Sequence, residues 1–197
     1  MWLLCAALPA SALVSGIYNY EISNNKAVIT GLTAEGANAT TLNIPGHITN
    51  GSSYCSTIVG EGAFQNNTKL KKVTVMWGCQ KLEANAFAGC SNLTELRIPS
   101  SMSYSSAHIW MGDGCLTGCT SLSLLSISAD YVPYVSNATI EGVPTSCVLE
   151  VPNGDPHISD YAKTGYYFAI TNSTWNKLIY ASVLTTILTA KRVLPSI

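Results

Sequence analysis

Five short segments of the chain alternate apolar and polar residues in the same way. They are Leu42-Asn43-Ile44-Pro45, Val73-Thr74-Val75, Leu96-Arg97-Ile98-Pro99, Leu125-Ser126-Ile127 and Leu149-Glu150-Val151-Pro152. A period of two turns the outer pair of each triplet to one face of a strand and the middle residue to the other. A second set of apolar positions lies between these strands. Ala63-Phe64 with Leu70, Ala86-Phe87 with Leu93, and Cys115-Leu116 with Leu122 keep one internal spacing, and Val59, Leu82 and Met111 recur upstream of each pair. Every unit therefore offers five inward positions, each able to stack on its equivalent one coil along.

The strands recur at intervals of 31, 23, 29 and 24 residues. A period in the low twenties, with L-x-x-L-x-I closing each unit, predicts a leucine-rich repeat solenoid. In it, short parallel strands stack into a curved sheet, and irregular or short helical turns occupy the convex side. Phe64 and Phe87 are expected on such a helical turn. The longer intervals read as insertions at Gly46 to Thr57 and Ser100 to Ile109, both loop-like in their Ser, Gly and Asn content. Prolines 45, 99 and 152 follow strands, where a missing N–H ends the pairing. Upstream, Ile17 to Leu32 alternates on both sides of Ser23-Asn24-Asn25-Lys26, with Tyr18, Tyr20 and Ile22 before it and Val28 after it. This predicts a β-hairpin covering the first coil. The expected organisation is a secretory signal at 1–15, a capped repeat domain at 16–165, and a capping or tail segment at 166–197.

Three stretches carry a more specific pattern: Ile58 to Phe64 (IVGEGAF), Ala86 to Met102 (AFAGCSNLTELRIPSSM) and Leu116 to Ile127 (LTGCTSLSLLSI). Their order of Ile-Gly, Ala-Phe, Gly-Cys, Ser-Leu and Ile-Pro resembles the BspA-like leucine-rich repeat family. Ile140 to Pro144 and Cys147 to Gly154, with Tyr161 downstream, resemble that family's closing unit, so the likeness spans Gly16 to Tyr161. The first unit departs by carrying Asn66-Asn67 for Gly-Cys. The third has Cys115-Leu116 for Ala-Phe and Ser128 for the proline. The resemblance implies a surface-associated adhesin.

Composition narrows the setting. Hydrophobic residues make up 47% of the 197 and charged residues 11%, so a packed core is affordable and solubility must come from Ser, Thr, Asn and Gly. A net charge of −1 supplies no electrostatic reason to bind nucleic acid or an anionic membrane. The apolar run Trp2 to Leu8 followed by Ala10-Ser11-Ala12 reads as a signal peptide. No basic residue precedes Lys26, as a truncated or misassigned start would explain, and the alternative is a first apolar strand capping the fold. Of the seven cysteines, Cys5 would leave with a signal. Cys90 and Cys119 share one slot of the repeat and Cys79 stands at an apolar position, so packed thiols are expected rather than disulfides or zinc ligands.

No GxSxG, GxGxxG, GxxxxGK or HExxH motif occurs. His47, His108 and His157 fall in separate segments, and Gly112-Asp113-Gly114 reads as a turn before it reads as a calcium loop. Glu61, Glu83 and Glu95 recur at coil spacing, as ladder positions do rather than paired catalytic acids. No catalytic residue, metal ligand or cofactor is therefore expected. What remains is surface. The outward row Asn43, Thr74, Arg97, Ser126 and Glu150 is expected to line one exposed face. Tyr54, Trp77, Tyr104, Trp110, Tyr131 and Tyr134 add aromatic candidates, because aromatic side chains dominate binding energetics. Thr74, Arg97, Glu150, Trp77, Tyr104, Trp110 and Tyr131 are the ligand-contacting residues this reading favours. Sequons at Asn38, Asn50, Asn66, Asn92, Asn137 and Asn172 matter only in an exported eukaryotic protein.

The apolar stretch Leu178 to Ala190, followed by Lys191-Arg192, is shorter than the ~20 residues of a membrane span. A strand or helix covering the last coil is preferred over an anchor, and a membrane contact would arise only through an anchor. The sequence thus points to an exported, monomeric, non-enzymatic module that binds a host or neighbouring-cell protein or glycan. The alternatives are a structural or recognition piece of a larger surface protein or enzyme and, weakest, an enzyme in its own right.

Overall fold

The structure, a computed structural model, describes residues 13–98, 110–127, 138–144, 146–152, 166–170 and 175–180. The hairpin at the N-terminal end forms around two asparagines, Asn24 (φ 48°) and Asn25 (φ 59°). A two-residue hairpin turn needs this left-handed backbone, and the short Asn side chain tolerates it. Strands β2 (Tyr18–Ser23) and β3 (Lys26–Leu32) pair antiparallel, and β1 (Leu13–Ser15) adds to the outer edge of β2. Leu13–Ser15 closes the segment read as a secretory signal; residues 1–12 lie outside the described residues. Tyr18 and Tyr20 turn inward, and the Tyr18 hydroxyl donates to the Asn43 carbonyl at 2.8 Å, tying the cap to the first coil.

The five alternating segments form strands β4 (Thr41–Ile44), β7 (Lys72–Val75), β9 (Glu95–Ile98), β11 (Leu124–Ile127) and β12 (Val148–Pro152). They stack in parallel and in one register, so Leu42, Val73, Leu96, Leu125 and Leu149 make a single row. The ladder continues antiparallel through β14 (Trp175–Tyr180) to β13 (Tyr166–Ile170). Leu178–Tyr180, the start of the C-terminal apolar stretch, therefore lies in β14; residues 181–197 lie outside the described residues. Among the described residues, no helix is long and apolar enough to cross a membrane.

A second parallel ladder was not legible in the pattern. Strand β6 (Ser53–Val59) joins β3 on one side and β8 (Lys81–Leu82) on the other, and β8 joins β10 (Trp110–Met111). Ile29, Val59, Leu82 and Met111 fall in one row of this ladder, all buried. The pairs β6–β7, β8–β9 and β10–β11 thus make three complete turns of a solenoid.

The Ala-Phe runs are not helical. The N–H groups of Ala63, Gln65 and Asn67 donate three residues back within their own coil. Those of Gly62, Phe64 and Asn66 donate to Ala84, Ala86 and Ala88 of the next coil at 3.0, 2.9 and 2.7 Å. The same alternation recurs when Asn85, Phe87 and Gly89 donate to Asp113, Cys115 and Thr117. An α-helix would spend every N–H along its own axis. Here a left-handed residue at each end of the run, Gly62/Asn66, Asn85/Gly89 and Gly114/Gly118, redirects half of them across the coils. The remaining helical backbone among the described residues is two three-residue 3-10 segments, Gly36–Asn38 and Ala138–Ile140.

The asparagines explain the first unit's departure from Gly-Cys. Asn66 takes the left-handed backbone that Gly89 takes one coil later, at φ 58° and 72°. Its Oδ1 lies 2.2 Å from where a Cβ on Gly89 would stand, and Asn85 Oδ1 lies 2.3 Å from the same point on Gly114. Glycine is thus required at 89 and 114 by the coil beneath as well as by backbone angle. Asn67, in the cysteine slot, accepts from the N–H groups of Lys69 and Leu70 through Oδ1.

Stacked side chains fill the interior between the ladders. The Phe64 and Phe87 rings stack at 5.2 Å with Tyr18 edge-on to Phe64, and Leu116 continues the column. The thiols of Cys90 and Cys119 donate to the carbonyls of Phe64 and Phe87 respectively, each one coil back. Cys55, Cys79, Cys90, Cys115, Cys119 and Cys147 are all buried and free.

The Gly46–Thr57 insertion is a hairpin rather than a loop. Strand β5 (His47–Asn50) pairs antiparallel with β6. Ile48 and Cys55 anchor one face of the hairpin in the core, which the loop-like composition concealed.

Candidate functional site

The first ladder presents its outward row to solvent. Register places Lys72 beside Glu95, and Thr74 beside Arg97, Ser126 and Glu150 in successive strands. Asn43 and Arg97 are exposed, and Thr74 and Glu150 are half-buried. Ser126 is the exception, at 4% exposure. Arg97 hydrogen-bonds Glu95 within its own strand and brings Nη1 to 4.0 Å from Glu150, two strands away. The guanidinium side chain therefore passes over Ser126, which explains its burial. The expectation of an exposed Ser126 is corrected accordingly.

Glu95 is the centre of this network. It accepts from Arg97 and pairs with Lys72 Nζ at 3.0 Å, and these two partners hold its carboxyl below the usual range. Lys81 and Glu83 form a separate pair at 2.7 Å, at β8 and the start of the turn run that follows it. The three glutamates at coil spacing do not form one ladder. Glu95 belongs to the first strand ladder, whereas Glu61 and Glu83 stand at different steps of the turn runs.

A second group stands at the carboxyl end of β4 and β7. Tyr54 stacks on His47 at 4.3 Å with rings 12° from parallel, and the Trp77 ring lies 5.1 Å from His47 at 44°. Tyr54, Met76 and Trp77 are all exposed, at 69%, 47% and 45%. Trp110 begins β10, paired with Lys81. Tyr104, Tyr131 and Tyr134 lie outside the described residues. Sequence reasoning weighed His47 only as a catalytic or metal-binding histidine, and passed over Met76. The signal for Met76 was available, since it continues the outward parity of Lys72 and Thr74.

Among the described residues, burial keeps five of the interior thiols protonated. Burial pushes the Cys90 thiol up to about 11 and those of Cys119 and Cys147 up to about 12, and raises Cys79 and Cys115 as well. A protonated buried thiol is neither a nucleophile nor a metal ligand. Gly112 and Gly114 flank Asp113 in the turn run after β10, and among the described residues no three His, Cys, Asp or Glu side chains converge as a metal site.

Stacked parallel ladders, inward columns and a free outward row define a repeat solenoid of the leucine-rich class. The chain belongs to the family described as the BspA type leucine rich repeat region, whose model matches six copies over residues 15–117 and 38–162. A leucine-rich repeat protein from Bacteroides capillosus ATCC 29799 shares the fold at 20% identity and TM-score 0.56, covering 73% of this chain and 99% of that one. A leucine-rich repeat protein from Bacteroides ovatus ATCC 8483 is 19% identical (TM-score 0.48), covering 71% of this chain and 37% of that one. A leucine rich cell surface protein from Faecalibacterium prausnitzii A2-165 is 20% identical (TM-score 0.47), covering 68% and 43%. The chain thus spans less than half the length of these last two. No curated protein matches it.

Proposed function

We propose that the chain is an exported, non-enzymatic binding module that presents the outward face of its first ladder to a protein or glycan on a neighbouring surface. The observation that carries this reading is the Lys72–Glu95–Arg97–Glu150 network, which spans four coils. It leaves an ordered, mixed-charge face at positions the core does not need. Extended faces of this kind are how solenoids bind, and repeat folds build scaffolds more readily than catalytic clefts. Membership of the repeat family and the low content of charged residues support the exported setting.

Two experiments test it. Protease shaving of intact cells should release fragments of the chain, and full protection would sink the surface reading. A glycan and extracellular-matrix array should yield a ligand whose capture falls with Arg97→Glu or Glu150→Lys. Unchanged capture in both variants would move binding off this face.

A further inference from the structure

The hairpin built by β5 and β6 has two faces of opposite character. Ile48 and Cys55 lie directly opposite each other and are buried on the core side. The other face carries His47 and Thr49 from β5 and Tyr54 and Ser56 from β6, with Thr49 directly opposite Tyr54 and His47 opposite Ser56. An aromatic side chain there would be expected to fold down against the protein. Tyr54 instead stays 69% exposed while its ring is held parallel to His47.

The imidazole beneath is itself fixed. A Cβ on Gly78 would stand 2.0 Å from the His47 ring, and a Cβ on Gly46 would stand 1.4 Å from the Trp77 carbonyl oxygen. The two segments therefore pack backbone to ring and backbone to backbone, which locks the exposed Trp77 and Tyr54 rings around one histidine. Rings ordered before binding avoid the side-chain part of the entropy cost of capture.

Charge selects the occupant. From Gly46 to Gly60 and from Met76 to Gln80 there is no Asp, Glu, Lys or Arg. Burial holds the His47 imidazole below its ordinary pKa, which favours the neutral form. The rings share their face of the hairpin with the hydroxyls of Thr49 and Ser56. A pyranose ring has the complementary chemistry: an apolar C–H face to lie on an aromatic ring, and a rim of hydroxyls that exchange hydrogen bonds with uncharged partners. An acidic glycan would find no cation within these two segments.

We propose that the Tyr54–His47–Trp77 platform is a binding site for neutral hexose units of a glycan. It is separate from the charged ladder face. It shares with the proposed function only the premise that the chain binds surface ligands.

The test is calorimetric titration of the full chain with cellohexaose, mannohexaose and laminarihexaose, with sialyllactose and heparin fragments as charged arms. Binding of at least one neutral hexaose is expected, weakened at least about tenfold by Tyr54→Ala and by Trp77→Ala. Tyr54→Phe should retain it, and Arg97→Glu should leave it unchanged. An unaltered melting temperature in Tyr54→Ala establishes that the loss is one of contact. The proposal is overturned if none of the three hexaoses binds, if only the charged glycans bind, if Tyr54→Ala binds as well as the parent, or if the same two aromatics prove to serve a peptide ligand instead. Hexaose binding lost in Arg97→Glu but kept in Tyr54→Ala would overturn this site while leaving the ladder-face reading standing.

Discussion

Leu96 and Arg97 are neighbours in one strand, yet they belong to regions that follow different rules. Leu96 sits in a column of equivalents, Leu42, Val73, Leu125 and Leu149, and each coil repeats the same demand on it. Arg97 sits in a row where Asn43, Thr74, Ser126 and Glu150 differ in size and charge. Repetition inside is imposed because each buried side chain packs only on the coils above and below, and a mismatch leaves a void. Outside, water accepts almost any polar group, so the row is free to differ from coil to coil. The difference separates residues that hold the solenoid together from residues available to a ligand.

The largest effect should come from the inward column. Phe87 is fully buried between the Phe64 ring and Leu116, and Phe87→Ala is expected to cost about 3–5 kcal/mol in denaturant unfolding. Gly89→Ala should cost about 1–3 kcal/mol, because the residue has φ 72° and its new Cβ would collide with Asn66 Oδ1. Adding Asn66→Gly should recover the part due to collision and leave the part due to backbone angle, so the two changes will not be additive.

The thiols give a chemical version of the same contrast. At pH 8 the folded protein should keep Cys55, Cys79, Cys90, Cys115, Cys119 and Cys147 unmodified by iodoacetamide, and denaturant should expose all six, as peptide mass mapping would show. Rapid labelling of Cys90 or Cys119 in the native state would mean that the column opens.

Changes in the outward row should be small. The folded pKa of Glu95 lies below its ordinary 4.5, because Arg97 and Lys72 stabilise the carboxylate. Its contribution is therefore complete above 4.5 and is lost as the pH falls through the folded value. A thermal melt series from pH 7 to pH 3 should show parent and Glu95→Gln converging at the acid end.

Much of this division was legible in the sequence. The first four alternating triplets, Phe64 and Phe87 of the Ala-Phe pairs, and the shared cysteine slot each named inward residues that the structure buries. The second ladder was hidden because β8 and β10 are two residues long, too short for alternation to register. The β5–β6 hairpin was hidden because its Ser, Gly and Asn content resembles a loop, and only Ile48 and Cys55 betray its buried face. Ser126 was assigned to the wrong region because its cover comes from Arg97 and Glu150, residues of other coils that no local pattern brings together. The aromatic platform was half visible: Tyr54 and Trp77 stood out as residue types, but the histidine joining them did not.

The central claim is that the outward row binds while the inward columns hold the fold. It is tested most directly by measuring, on Arg97→Glu, both the melting temperature and the capture of the ligand that the array identifies. The account predicts a melting temperature within about 3 °C of the parent, as expected for loss of an exposed ion pair, together with at least about tenfold weaker capture. A collapse of the melting temperature, or capture equal to that of the parent, would contradict it.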